Sequence, residues 1–377
     1  MQSEDQELIA KTAADFVGER SPIARVRALR DAGDPVGFSR ELWKEMADLG
    51  WVGIPFAEVH GGADLGLAEL TLVVEALGRG LAPEPFLSTV LLAGQLLQRS
   101  GDEAACAKWL PGVCSGDTIL ALAYQGATSR YEVFSPAVVA TAKGDGFLLT
   151  GQAIQVLDGH VADALIVSAR TSGEQGEASG LSLFVVPKDA SGLEIVRQSR
   201  VDDRNAALVQ LSDVAVSASD ALAGIDGGGQ LLQETIDRAT IGLCAEMLGG
   251  MQHAFELTLE HLKTREQFET VIGTFQALKH RAADLFIEIE LSKSAVMAAA
   301  RAADGDDVEL ARYASLAKAQ CSEAYVRVTN EAVQMFGGVG MTDEYDIGFY
   351  MKRARATELT FGDAAYHRDR WAALGGY

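Results

Sequence analysis

The chain has 377 residues, of which 48% are hydrophobic and 23% are charged, and its formal net charge is -21. A chain of this length and composition can bury a large core and is expected to divide into roughly two or three domains. The negative charge repels phosphate backbones and anionic lipid head groups, and the sequence contains no basic patch to offset it. We therefore expect neither nucleic acid nor a membrane as a partner.

The beginning of the chain and its cysteines bear on the compartment. The stretch MQSEDQELIAKTAADFV is acidic and amphipathic, unlike a signal peptide, and no apolar run reaches about 18 residues. Cys106, Cys114, Cys244 and Cys321 are scattered and show no C-x-x-C spacing, which predicts buried free thiols rather than a disulfide framework. These features predict a cytoplasmic protein.

Residues 1–117 predict an N-terminal helical domain. Apolar residues recur at three- and four-residue spacing, and glycine and proline separate the periodic segments. The clearest segments are LIAKTAADFV, LWKEMADLGWVGI and LAELTLVVEALGRGL.

Residues 118–225 predict a middle β domain. Short runs of branched and aromatic residues alternate with turn signals, and GDG between two of them predicts a tight turn. The runs are TILALAY, VVATAKGDGFLLTG, ADALIVSART, LSLFVVPKD, LEIV and ALVQLSDVAV. Because no helical segments separate these strands, we expect an antiparallel barrel or sandwich rather than a parallel sheet.

Residues 226–377 predict a bundle of long helices. Leu243, Met247, Gly250, Ala254 and Leu257 recur at steps of three and four, and similar stripes begin further along the chain. Such stripes are typical of a four-helix bundle, and the remaining helix faces favour assembly into a dimer or tetramer. On this pattern alone, a purely structural bundle is an equal alternative.

Two segments of this region carry groups that helix packing does not require. They are TREQFETVIGTFQALKHRAADL at 264–285 and NEAVQMFGGVGMT at 330–342. The unexpected residues are Arg265, Phe268 and Gln276 in the first segment, and Gln334, Gly337, Gly338 and Gly340 in the second. Together the segments resemble the flavin-binding signatures of the acyl-CoA dehydrogenase family. The resemblance extends to GIPFAEVHGGADLGLAE at 53–69, and its visible departure in the first signature is Glu269 in place of a glycine.

The resemblance implies that the chain binds FAD. Arg265, Phe268 and Gln276 would serve one FAD, while Gln334, Gly337 and Gly338 would come from the neighbouring subunit. A pyrophosphate needs cationic or backbone N–H donors, which an arginine and a glycine-rich loop supply. Taken singly, Arg265 could be a solvated surface charge and the glycines a helix C-cap.

Two other kinds of site lack support in the sequence. Neither GIDGGGQ nor GGVG follows a strand and opens a helix, as a dinucleotide-binding GxGxxG must. The histidines show no H-E-x-x-H pattern or cluster paired with carboxylates, so no metal site is predicted.

The family reaction removes the α-proton of an acyl-CoA thioester while the β-hydride passes to flavin N5, which leaves a trans-2-enoyl-CoA. Many members use a Glu before Gly-Thr as the base, but in RARATELTFGDAAYHR that slot holds Phe361. Relatives that resemble isovaleryl- and long-chain acyl-CoA dehydrogenases place a Glu before an Arg in the first bundle helix. The matching residues are Asp237 and Arg238, so we expect Asp237 to be the base and Arg238 to bind substrate. Asp363 is the reserve candidate, and the simpler role for Asp237 is to complement a helix dipole in the first turn.

The β domain departs from the family pattern around the flavin ring. In AYQGATSRY, Gly126, Ala127 and Ser129 match the family motif, and Ser129 is a candidate FAD contact, whereas Gln155 and Leu157 replace a Trp and a Thr. Two hypotheses follow. The chain is either an acyl-CoA dehydrogenase, for which the family implies an electron-transfer flavoprotein as acceptor, or a noncatalytic or half-site FAD-binding subunit of a heteromeric dehydrogenase.

Overall fold

The computed structural model describes residues 3–305 and 307–377. It divides into two compact units that interleave along the chain. A helical unit contains residues up to Ala32, Leu67–Ala82 and Thr240–Tyr377, and a β-containing unit contains Gly33–Gly66 and Pro83–Ala239. Because the units interleave, the domain boundaries placed near residues 117 and 225 stay predictions.

The β-containing unit is built on one mostly antiparallel sheet. Its strands are β1 (Leu120–Ala123), β2 (Val139–Lys143), β3 (Gly146–Leu157), β4 (Ala164–Arg170), β5 (Leu181–Pro187), β6 (Leu193–Gln198), β7 (Ala206–Ser217) and β8 (Ala221–Leu222). The order is β6-β7-β3-β2-β4-β5-β8, with β1 beside β4. The pairs β1–β4 and β2–β4 are parallel, a detail that the sequence pattern did not reveal. Lys143 pairs with Gly146, which confirms the tight turn predicted at GDG.

Helices of the same unit lie before and after the sheet in the chain. They are α3 (Arg40–Asp48), a π-helix (Phe86–Gly94), α5 (Gln95–Arg99), α6 (Glu103–Cys114) and α7 (Gly228–Thr264), the last as far as Ala239. Every residue of β4 is buried, and β4 pairs with β1, β2 and β5. Burial on both faces agrees with the uninterrupted apolar residues Ala164–Val167 in place of an alternating pattern.

The helical unit contains the long helices predicted for the C-terminal region. Its elements are α1 (Glu4–Arg20), α2 (Ile23–Asp31), α4 (Leu67–Arg79), α7 from Thr240, β9 (Glu266–Gln267), β10 (Thr270–Val271), α8 (Gln276–Gly305), α9 (Asp307–Phe336), α10 (Ile347–Leu359) and α11 (Ala364–Leu374). The predicted stripe of α7 is buried over nearly its whole length. The stripe predicted from the same spacing on α9 is buried throughout and consists of Leu310, Ala314, Ala317, Cys321, Ala324 and Val328. This result confirms the helical bundle.

Backbone contact between α4 and α7 sets the spacing of the bundle. A Cβ added at Gly78 would lie 2.1 Å from the carbonyl oxygen of Glu246, and one added at Gly249 would lie 1.8 Å from that of Glu75. Both distances are far below ordinary van der Waals contact. The two helices can therefore cross this closely only where neither carries a side chain.

An ion pair and a separate lysine lie inside the bundle. Arg353 of α10 donates to Glu246 of α7 at 2.9 Å, and both side chains are less than a tenth exposed. Lys318 of α9 is fully buried. The four cysteines are free and buried, as predicted. None of the helices in the described ranges combines the length and apolar character that crossing a bilayer requires.

Removing one partner of the buried pair should destabilise the fold strongly. Because Glu246→Gln leaves the Arg353 guanidinium buried without its counter-charge, we expect a loss of about 3–5 kcal/mol in the free energy of unfolding. Urea denaturation monitored by circular dichroism measures it. Lys263→Met in the exposed pair Lys263–Glu260 is the control, where about 1 kcal/mol or less is expected. Equal losses in the two variants would contradict the assignment.

The buried ammonium should make stability depend on alkaline pH. Burial is the main cause that lowers the pKa of Lys318 to about 8 from an ordinary 10.5, against the opposing effect of Cys244, Cys321, Glu358 and Asp363. Between these values the unfolded chain binds a proton that the folded chain has released, so stability rises with pH. Relative to Lys318→Met, the wild type should therefore gain up to about 1.4 kcal/mol per unit between pH 8 and 10. Urea titrations across this range measure the difference, and a flat or falling difference would refute the expectation.

Candidate active site

The first flavin-like segment folds into a short hairpin after α7. Gln267 pairs with Thr270, and Ile272 N donates to Arg265 O at 2.9 Å. The two turn residues, Phe268 and Glu269, have φ angles of 55° and 60°. This left-handed conformation normally favours glycine or asparagine, so Glu269 occupies a strained position where the family pattern has glycine.

The predicted cofactor residues of this hairpin all lie at the surface. The Phe268 side chain is 86% exposed, and Gln276 is exposed as the first residue of α8. Arg265 is exposed too, and within the described residues no carboxylate lies in ion-pair distance of its guanidinium. Arg265 is therefore free of the neighbouring Glu266 and available to an external anion.

The second segment ends α9 and continues into a 3-10 helix, Gly337–Met341. Gly337 has a φ of 69°, so its helix-ending role is real. Gly338 has no positive φ, and a Cβ added to either glycine would meet nothing within 4 Å. Gln334 is exposed. The packing of the described chain gives no reason for glycine at 338, whereas close approach of another group would.

The loop that follows is fixed by charge. Arg30 donates to both carboxylate oxygens of Asp343, each at 2.7 Å, and Arg27 donates to Asp346 at 2.8 Å. Both guanidinium groups also lie 4.8 Å from the centre of the Phe349 ring. Hydrogen bonds from Arg30 hold the pKa of Asp343 down, at about 2. The glycine segment is thus anchored on its C-terminal side to α2.

Taken together, the residues of the helical unit fit FAD. They offer an unpaired guanidinium, exposed amides and open glycine backbone, which are the donor types that a pyrophosphate and a ribityl chain require. In the described part of the chain, no group of three or more His, Cys, Asp or Glu side chains is arranged to hold a metal ion.

In the β-containing unit, the Ser129 hydroxyl forms hydrogen bonds within its own turn. Its hydroxyl accepts a hydrogen bond from Gly126 N at 2.9 Å and lies 3.0 Å from Gly126 O, to which it can donate. Ser129 is also 8% exposed. The structure therefore gives its hydroxyl a role in the Gly126–Ser129 turn, whatever its role toward a cofactor.

Asp237 and Arg238 are both buried on α7. Gln233, one turn earlier, donates to Asp237 Oδ1 at 3.3 Å. Since α7 begins at Gly228, Asp237 lies beyond the first turn, where a carboxylate gains little from the helix dipole. The dipole role considered for Asp237 therefore loses its support.

Asp363 has a clear local function. It is the N-cap of α11, and its Oδ1 accepts a hydrogen bond from Tyr366 N at 2.9 Å. The residues before it, Phe361 and Gly362, have φ angles of 63° and 121°. Asp363 thus completes a tight connection between α10 and α11.

Sequence reasoning missed the group that holds this connection, Lys318. Its Nζ donates to Gly362 O at 2.7 Å, to Glu358 O at 2.9 Å and to Ser322 Oγ at 3.1 Å. A signal was present, because Lys318 stands four residues after Ala314 on the same helix face as the buried stripe.

Comparisons with known proteins match both ends of the chain to the same protein family. The family model described as "Acyl-CoA dehydrogenase, N-terminal domain" matches residues 3–117, and that described as "Acyl-CoA dehydrogenase, C-terminal domain" matches residues 226–374. The chain is 32% identical to acyl-CoA dehydrogenase FadE27 of Mycobacterium tuberculosis over 338 residues, covering 87% of this chain and 86% of the relative. It is 29% identical to mitochondrial isovaleryl-CoA dehydrogenase of Pongo abelii, covering 97% and 87%.

A solved structure, the ChsE4-ChsE5 complex from Mycobacterium tuberculosis, is similar with a TM-score of 0.90 and 27% identity, covering 100% of this chain and 98% of that one. The matched models span most of the chain, and the fold is that of the relatives. These matches show an oxidoreductase that uses FAD. The chain belongs to the acyl-CoA dehydrogenase family.

Proposed function

We propose that the chain dehydrogenates an acyl-CoA thioester to a trans-2-enoyl-CoA with Asp237 as the base. The observation that carries this proposal is the burial of Asp237 at a position that no helix-terminal role explains. A buried carboxylate that lies within reach of the substrate can take the α-proton as a positioned general base. The same placement is supported by the resemblance of Asp237-Arg238 to the Glu-Arg pair of relatives that resemble isovaleryl-CoA dehydrogenase, one of which is 29% identical to this chain.

The neighbours of Asp237 have distinct tasks in this proposal. Gln233 orients the carboxylate through its amide, and Arg238 binds the acyl-CoA. FAD, when bound, supplies the acceptor for the β-hydride. Asp363 stays the N-cap of α11 and takes no proton.

Arg265, Phe268 and Gln276 hold one FAD, and Gln334, Gly337 and Gly338 complete the site of a second copy. Their exposure supports this division, because groups that one chain leaves uncovered are free to meet another. The outward face of α8 supports assembly too, since Phe286, Ile287 and Leu291 are each more than half exposed. We propose a dimer or tetramer that passes electrons to an electron-transfer flavoprotein.

A second candidate function is a noncatalytic or half-site subunit of a heteromeric dehydrogenase. Two observations favour it: Phe361 fills the slot of the usual base, and the Ser129 hydroxyl is engaged within its own turn. The similar ChsE4-ChsE5 structure is a complex of two named proteins.

The base assignment predicts a difference between two matched variants. Asp237→Asn removes the proton acceptor at nearly constant volume, so reduction of bound flavin by acyl-CoA should slow by about 10²–10⁴-fold. Asp363→Asn keeps an effective N-cap and should reduce flavin at the wild-type rate. Stopped-flow absorbance of the flavin measures both rates.

Unchanged bleaching in Asp237→Asn would rule out Asp237 as the base. Purified wild type that is colourless, and becomes active only with a different chain, would favour the half-site function.

The cofactor assignment predicts a specific loss of FAD affinity. Arg265→Met removes a charge-assisted contact to pyrophosphate, worth about 1.5–3 kcal/mol, so the FAD Kd should rise by roughly 10–150-fold. Quenching of flavin fluorescence on titration with apoprotein measures this constant. Lys263→Met, an exposed cation two residues earlier, should leave it unchanged. Equal effects in both variants would show only a general loss of positive charge.

A further inference from the structure

The connection between α10 and α11 has an unusual backbone. Phe361 is a non-glycine residue with a φ of 63°, and Gly362 follows with a φ of 121°. A Cβ added to Gly362 would lie 2.5 Å from Tyr366 Cδ1 and 2.7 Å from His367 Nε2. Left-handed backbone at a large side chain costs free energy and persists only where surrounding groups impose it.

Two buried side chains impose this conformation from opposite ends. Lys318 donates to Glu358 O, near the end of α10, and to Gly362 O, beyond it. His367 Nε2 lies 3.1 Å from Phe361 O, and since a carbonyl can only accept, the imidazole donates. Burial lowers the pKa of His367 to about 3, so the ring is neutral and adds no second charge beside Lys318.

Burying the Lys318 ammonium costs free energy that a neutral side chain in the same place would not cost. Within the described residues, Lys318 Nζ has three neutral oxygen partners and no carboxylate in ion-pair distance. An apolar side chain of similar volume would avoid the cost of burying a charge. Lys318 instead fixes the position of the connection, because its three N–H donors reach α9, the end of α10 and the turn at the same time.

We propose that Lys318 is a positioning residue that fixes the direction of the Phe361 side chain and thereby selects which acyl chains the enzyme accepts. This inference rests on the proposed function and on the family resemblance, which puts Phe361 in the slot of the usual base and so beside the acyl-CoA. Phe361 is half-buried, so a fixed backbone leaves its ring a defined and partly accessible position. Lys318 acts through Glu358 O and Gly362 O and touches no substrate.

The test compares Lys318→Met with Ser322→Ala in the FAD-loaded enzyme. The first removes both carbonyl contacts, and the second removes only the hydroxyl partner of Lys318. For Lys318→Met we expect the ratio of kcat/KM between butyryl-CoA and palmitoyl-CoA to change by at least about tenfold. Ser322→Ala should keep the wild-type ratio. A variant that merely lost stability would lower both kcat/KM values together and leave the ratio intact.

A second readout needs no turnover. Amide hydrogen exchange at residues 360–363 should accelerate in Lys318→Met and not in Ser322→Ala. Should Lys318→Met fail to fold, His367→Phe replaces it, because it frees Phe361 O without stranding a charge and should shift both readouts in the same way.

If folded Lys318→Met keeps the wild-type ratio of kcat/KM between butyryl-CoA and palmitoyl-CoA, Lys318 does not select acyl chains. Unchanged exchange at 360–363 would overturn the positioning role itself. If no acyl-CoA bleaches the wild-type flavin, the proposed function fails separately, and the exchange measurement alone decides the role of Lys318.

Discussion

Buried polar contacts at α10 are the constraint on which the helical unit depends. Arg353 ties this helix to Glu246 of α7, Lys318 ties its end to α9, and the Tyr350 hydroxyl donates to Arg79 O of α4 at 2.6 Å. Apolar stripes hold helices together but tolerate sliding and rotation, whereas each of these bonds has one satisfactory register. They fit only because glycines let α4 and α7 cross in backbone contact. The position of the connection after α10 follows from that arrangement.

Local structure separates the two candidate carboxylates better than alignment does. Asp363 is fully explained by its place, because an N-cap needs a short acceptor and Tyr366 N supplies the donor. Asp237 is buried beyond the first turn of α7, where neither capping nor the helix dipole accounts for a carboxylate. A buried carboxylate without a helix-terminal role is the better candidate for chemistry. The same logic separates Gly337, which ends a helix, from Gly338, which does not.

Periodic features were predictable from the sequence, while isolated ones were not. Buried stripes and alternating runs repeat over many residues, so the bundle and the strands emerged with their order correct. The parallel pairing of β1 with β4 depends on distant residues and leaves no local pattern. The left-handed turn at Phe268 and Glu269 could not be predicted, because a glycine at position 269 would have indicated it and the sequence has a glutamate there. Lys318 stayed unnoticed because a lysine is usually expected in water, and only its three oxygen partners make its burial tolerable.

Because the chain is strongly acidic, it is informative that Arg265 has no carboxylate partner among the described residues. The net charge is -21, and many cations of the helical unit have a carboxylate partner, as Arg27, Arg30 and Arg353 do. Among the residues that the structure describes, Arg265 has none, although Glu266 is its neighbour in the sequence. Arg265 lies between the end of α7 and β9, and Glu266 is the first residue of that strand. Because Glu266 is exposed, water screens its effect on Arg265. A phosphate that contacts Arg265 therefore displaces no carboxylate of the described residues.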